Sequence, residues 1–236
     1  MSALDADGLD SAIETLLGAV DAREAASWSH QRRVDRHESQ MDGDTARMVV
    51  TVAPSNDVDP PLDLRDHVER LRETAKTIRN LHETHWGTAG LALRSSRGEH
   101  PSLVVHRSGE VEFCQSSLIE EGAVVPLLVL LPLIGSVQAA RTLATDANLS
   151  GPLYVDVSLL GVEGSQFHTP PRRVFHGAYR FGHDRVHHCW TVDRDGERSD
   201  SAVQPLADML WQSSGFEECH FYDDEGRWVR WDDYFG

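Results

Sequence analysis

Leu9, Ile13, Leu16, Leu17 and Val20 recur at i, i+4, i+7, i+8 and i+11, the spacing of a helix with one apolar face. Asp5, Asp7 and Asp10 lie near its N-terminal end, where the helix dipole favours negative charge. The pattern then stops. SWSHQRRVDRHESQMDGD is polar and without period, so residues 1–26 read as an N-terminal amphipathic helix and 27–45 as a linker. ARMVVTVAP (46–54) is a β-branched run closed by proline, which predicts a buried strand. From Leu62 to His82, Leu64, Val68, Leu71, Ala75 and Ile78 keep a 4-3-4-3 spacing that predicts a helix. Arg65, Glu69, Arg72, Glu73 and Lys76 form its solvated face.

Further along, GLALRSS (90–96) reads as a strand and SLVVHRSGEVEFCQ (102–115) as a hairpin turning at Ser108-Gly109. The run from Ala123 to Ile134 carries no charge, and its apolar character extends to Ala140. It is short for a membrane span, is interrupted by Pro126, Pro132 and Gly135, and continues into a polar tail. A buried core helix over 123–147 is expected, kinked or broken at Pro132. PLYVDVSLLGVEG (152–164) and RVHHCWTV (185–192) read as strands and 201–214 as a helix. The chain closes on a hairpin, 219–235, around Glu225-Gly226. The order is α, β, α, β-β-β, α, β-β, α, β-β. Strand pairs interrupted by single helices predict an α+β fold, mostly antiparallel, over residues 46–236.

Charge narrows the chemistry. The 236 residues carry a formal net charge of -16, with Lys76 the sole lysine. P-loop and Schiff-base chemistry would need that residue, and it sits in mid-helix with no glycine-rich loop before it. A negative charge of this size also opposes broad contact with phosphate backbones. Cys114, Cys189 and Cys219 are odd in number and widely spaced, which argues against a disulfide framework. The acidic N-terminus has no signal-like pattern, so a cytoplasmic location without membrane insertion is expected.

The richest stretch is FHTPPRRVFHGAYRFGHDRVHHCW (167–190). On a strand over 185–192, His187 and Cys189 share one face at i, i+2, close enough for two ligands of one zinc ion, with Cys219 as a candidate third. The chain has no C-x-x-C pair to start a four-ligand set, so no metal and no cofactor are expected. His183 beside Asp184 has the residue types of an oriented base, and with His187 and Cys189 it makes up a hydrolase or nuclease reading. HETH (82–85) is one residue too short for a zinc-protease motif and reads as a helix end. Arg172, Arg173, Phe175, Tyr179, Arg180 and Arg185 form the one basic, aromatic island, a composition suited to a protein hot spot or to single-stranded nucleic acid.

The run MVVTVAP, the long helix, the SGEVEF hairpin, the apolar helix before GPLYVDVSLLGVEG, and an arginine-rich turn before RVHHCWTV follow one another in a familiar order. Over residues 46–230 this resembles the C-terminal region of actinobacterial proteins that begin with an Alba-like, Schlafen-type DNA-binding domain. That domain is not in this sequence, and no functional residue carries over. The resemblance implies a sensor-like or partner-binding module. Together these readings predict a non-catalytic accessory module of a bacterial multi-protein system that acts on another protein or by self-association. The helix at 1–26 and the loop at 168–185 are its candidate contact elements.

Overall fold

The computed structural model describes residues 6–41, 45–56, 58–79, 81, 83–88, 90–95, 101–168, 179–196, 198–223 and 225–229; of 6–17, 77 and 79 it describes the backbone alone. A seven-stranded antiparallel sheet forms the centre, in the order β10-β8-β1-β5-β4-β3-β2. Its strands are β1 (Arg47–Pro54), β2 (Glu83–Trp86), β3 (Gly90–Arg94), β4 (Ser102–His106), β5 (Val111–Ser116), β8 (Leu153–Leu160) and β10 (Arg185–Val192). The short strands β6 (Ile119–Glu120), β7 (Ala123–Val124) and β9 (Gln166–Phe167) make a second sheet. The α+β class is therefore observed.

One sheet face is apolar by strand alternation. Met48, Val50 and Val52 of β1, Val111 and Phe113 of β5, and Val155, Val157 and Leu159 of β8 point the same way and are fully buried. Helices α2 (Val68–Arg79) and α3 (Pro126–Asp146) cover them, and Leu71, Ala75, Leu130, Leu133 and Val137 belong to the same core. The two helices approach closely at Gly135, where an added Cβ would lie 2.2 Å from Ile78 Cγ1. α3 is apolar enough to pass for a membrane span, yet its apolar residues are spent on this core. It runs through Pro132 as one helix, so the expected break does not occur. Proline forfeits only its own N–H bond, the surrounding packing holds the turn, and the Ser136 hydroxyl donates to the Pro132 carbonyl at 2.7 Å.

The opposite face is covered by α1 (Ala6–Glu38), a helix of 33 residues. The expected linker at 27–45 is thus helical through Glu38. From Gly18 on, where its side chains are described, its buried residues are Ala26, His30, Arg33, Val34 and His37, again at i, i+4, i+7, i+8 and i+11. Three of those five are polar, so the segment has helical spacing without the apolar period that reveals a helix. His82-to-His85 is corrected as well: Glu83–Trp86 is the edge strand β2, His85 is half exposed, and His82 lies outside the described residues. The closing hairpin is reduced, among the described residues, to one bridge between Tyr222 and Trp228. The helix expected at 201–214 is split into α4 (Ser199–Ala202) and α5 (Gln204–Gln212), with α5 packed beside β10.

Candidate functional site

The densest group of titratable side chains lies in the seam between α1 and the sheet. Two clusters form it. In the first, His30 is 1% exposed and bonds the hydroxyls of Thr51 and Ser158, each at 2.9 Å from one of its ring nitrogens. Its ring stacks on His187 at 5.2 Å. His187 Nε2 lies 3.1 Å from Asp156 Oδ1, a carboxylate that is itself 1% exposed. Ser27 Oγ donates to the same oxygen at 3.4 Å, and Arg23 approaches it at 3.8 Å. Strand register explains the grouping. Thr51 and Asp156 are opposite one another across β1 and β8, and His187 is opposite Ser158 across β10 and β8, so all four point at α1.

Burial drives the His30 pKa down to about 3. Asp156 pulls the other way, but burial and the neighbouring His187, Arg33 and Arg185 outweigh it, so His30 is neutral at physiological pH. His188 is also lowered by burial, and its Nε2 bonds Ser213 Oγ at 2.6 Å on the α5 side.

The second cluster centres on Glu112. Arg33 Nε approaches its carboxylate at 3.0 Å, Arg36 Nη2 at 2.7 Å, His37 Nε2 at 2.9 Å and His106 Nε2 at 3.3 Å. Burial alone would raise this carboxyl; the hydrogen bonds from His106 and His37 and the two guanidinium charges hold it far below the usual range. Glu110 is lowered in the same way, with Arg33 and the hydroxyls of Ser29 and Ser108 against its burial. Cys114 sits 3.6 Å from His37 Nδ1, and burial pushes its thiol up to about 12.

The residues singled out from the sequence fall in three places. Arg172, Arg173 and Phe175 lie outside the described residues. Tyr179 packs on Phe216 at 4.7 Å, Arg180 donates to the Gly164 carbonyl, and Arg185 donates to Gln31 of α1 with Asp35 at 4.0 Å. His183 and Asp184 are exposed on the turn before β10. His187 and Cys189 do share the α1 face, but Cys219 is buried on the other side of the sheet, with its N–H bonded to Asp208. Among the described residues no three His, Cys, Asp or Glu side chains group as a metal site.

Sequence reading missed Asp156, Ser158, Glu112 and the α1 residues His30, Arg33 and His37. The signal was present as alternation. In VDVSL the polar side chains fall on every second residue, and in VEF Glu112 separates two core residues.

What α1 turns outward is different. Trp28 is 63% exposed, with the Arg32 guanidinium 4.7 Å over its ring, and Val20 is 53% exposed. Beside Val20 a groove of about 680 Å³ opens between α1 and β10, with Arg23, Tyr154, Cys189 and Thr191 in its walls. Compared with known proteins, the chain matches no family model, no curated protein and no solved structure.

Proposed function

We propose that the chain is a non-catalytic binding module, an accessory subunit in a bacterial multi-protein system, and that the outward surface of α1 is its contact element. The observation that carries this reading is the Trp28–Arg32 pair. A tryptophan 63% exposed, with a guanidinium stacked on it, is the residue pair that dominates interface energetics. The same helix is anchored on its inner side by buried hydrogen bonds and ion pairs, so the pair is presented on a rigid support. A rigid anchor loses little conformational freedom on binding. The resemblance to a partner-binding region points the same way.

The test is quantitative co-purification of the tagged chain from its own cell. Trp28→Ser with Arg32→Ala should lose proteins that the wild type retains, while Trp86→Ser, at the far edge of the sheet, keeps them. Unchanged recovery with the first variant removes the contact reading.

One observation favours a second reading, acid–base chemistry. His187 is 39% exposed at its side chain and is oriented by the buried Asp156, the arrangement that holds a general base in one tautomer. A hydrolytic activity in the pure protein that disappears with His187→Gln would favour it. The reading through Arg172–Arg185 and nucleic acid predicts affinity that falls steeply with salt.

A further inference from the structure

We infer that the outer edge of β10 pairs with β10 of a second copy of this chain, antiparallel, about a two-fold axis through Cys189. This goes beyond the contact reading, since it uses the strand edge and leaves Trp28 free. Among the described residues β10 pairs with β8 alone and ends the sheet. It is eight residues long, and Cys189, Trp190 and Thr191 are exposed. Natural edge strands are usually blunted by proline, lysine or a bulge; β10 has neither residue and keeps an unbroken register with β8 along its whole length.

The strand's own sequence selects the occupant and the register. A two-fold axis normal to the sheet keeps each face on its own side, so the strand must be centred on a residue and not between two. Centring on Cys189 sets Arg185 opposite Asp193 of the second copy and Val186 opposite Val192. His188 then faces Trp190, and His187 faces Thr191. Arg185 and Asp193 fall on the α1 face together, as Val186 and Val192 do on the core face. One step beyond, Asp184 faces Arg194, which already holds Asp195 and the Leu149 carbonyl; Arg185 likewise already donates to Gln31 with Asp35 at 4.0 Å, so each guanidinium would share its new carboxylate with a partner in its own chain. Asp193 is exposed, and its backbone is fixed by two bonds from Arg141 to its carbonyl, at 3.0 and 2.6 Å. Centring on His188 sets Asp184 against Val192 and Arg185 against Thr191, leaving both charges unmatched. Centring on Trp190 sets Arg185 against Asp195, which Arg194 already holds, but also sets Val186 against Arg194. Only the Cys189 register matches charge to charge and valine to valine. The net charge of -16 does not oppose it locally, because Asp184, Arg185, Asp193 and Arg194 set opposite signs against one another across the axis.

Sedimentation of the full chain at micromolar concentration should give twice the chain mass. Arg185→Asp and Asp193→Arg should each weaken the dimer about tenfold or more, because each change places two like-charged pairs across the axis. The double variant should restore it, a rescue that a merely structural role for either residue would not produce. Diamide should then join the two Cys189 thiols, taking up their two hydrogens and two electrons, since directly opposed residues lie within disulfide reach. Cys189→Ser should abolish the covalent dimer and leave the sedimenting mass unchanged. A wild type that stays monomeric, or a dimer insensitive to both charge reversals, overturns the proposal. A charge-sensitive dimer that never forms the Cys189 disulfide overturns its register. None of these variants touches Trp28 or Arg32, so a monomeric chain that still loses proteins on Trp28→Ser sinks the dimer and leaves the contact reading intact.

Discussion

His30→Leu separates the two contributions of the α1 seam, because it removes hydrogen bonds at neutral pH and a proton-linked penalty in acid. At about pH 7.5 the variant loses two bonds and leaves the hydroxyls of Thr51 and Ser158, 1% and 0% exposed, without that partner. Each net bond is worth about 1 kcal/mol and each stranded hydroxyl costs a comparable amount, so a loss of about 2–4 kcal/mol is expected. In acid the comparison changes. His30 has a folded pKa of about 3 against an ordinary 6.5, so its contribution is fully present above 6.5 and is lost as pH falls toward 3. At about pH 5 the unfolded chain binds this proton and the folded chain does not, which destabilises the wild type by about 2 kcal/mol. Leucine has no such loss, so the gap between the two proteins should narrow by about 2 kcal/mol from pH 7.5 to 5. The neighbours Asp156, His187, Arg33 and Arg185 are present in both proteins. Glu112, whose loss begins below its ordinary value of 4.5, is also shared. Urea unfolding followed by tryptophan fluorescence reads both stabilities. A gap that is the same at the two pH values would refute a buried, neutral His30.

Three other outcomes follow from the same packing. Glu112→Gln removes the charge that Arg33, Arg36, His37 and His106 converge on, and should cost about 3 kcal/mol and speed amide exchange along α1. Gly135→Ala places a methyl against Ile78 at the α2–α3 crossing and should lower stability by about 1–3 kcal/mol in the same urea assay. Iodoacetamide should label one cysteine per native chain, Cys189, and three after unfolding, because Cys114 and Cys219 are buried with thiols pushed up by that burial; early labelling of either would contradict the packing on its face of the sheet.

The apolar side of this protein was legible and the polar side was not. The 4-3-4-3 spacing of Leu64 to Ile78 marks one face of α2, and the β-branched run MVVTVAP closed by proline and the long apolar PLYVDVSLL mark the strands, because apolar residues carry their burial in their own chemistry. The α1 seam follows the same geometry with the opposite chemistry. His30, Arg33 and His37 are buried at helical spacing, but each is buried only because Thr51 of β1, Ser158 of β8, Glu112 of β5 and Glu110 just before β5 wait across the interface. A polar side chain announces its burial through its partner, and the partner is distant in sequence, so 27–38 read as a linker. The same holds for His187. On its own strand it pairs naturally with Cys189 as a ligand or nucleophile, whereas its partner in the fold, Asp156, comes from β8. Trp28 escaped notice for the converse reason: a single exposed aromatic inside a polar segment has no period at all.

The account depends on α1 being part of the body, anchored by its polar seam and not a detached arm with a linker behind it. Hydrogen exchange of the intact chain at neutral pH tests this most directly. Amides of residues 26–37 should exchange as slowly as those of β1, at a rate set by opening of the whole sheet face. If they exchange at nearly the unprotected rate while β1 stays protected, the helix is not docked, His30 and Glu112 are not buried, and Trp28 has no rigid support from which to act.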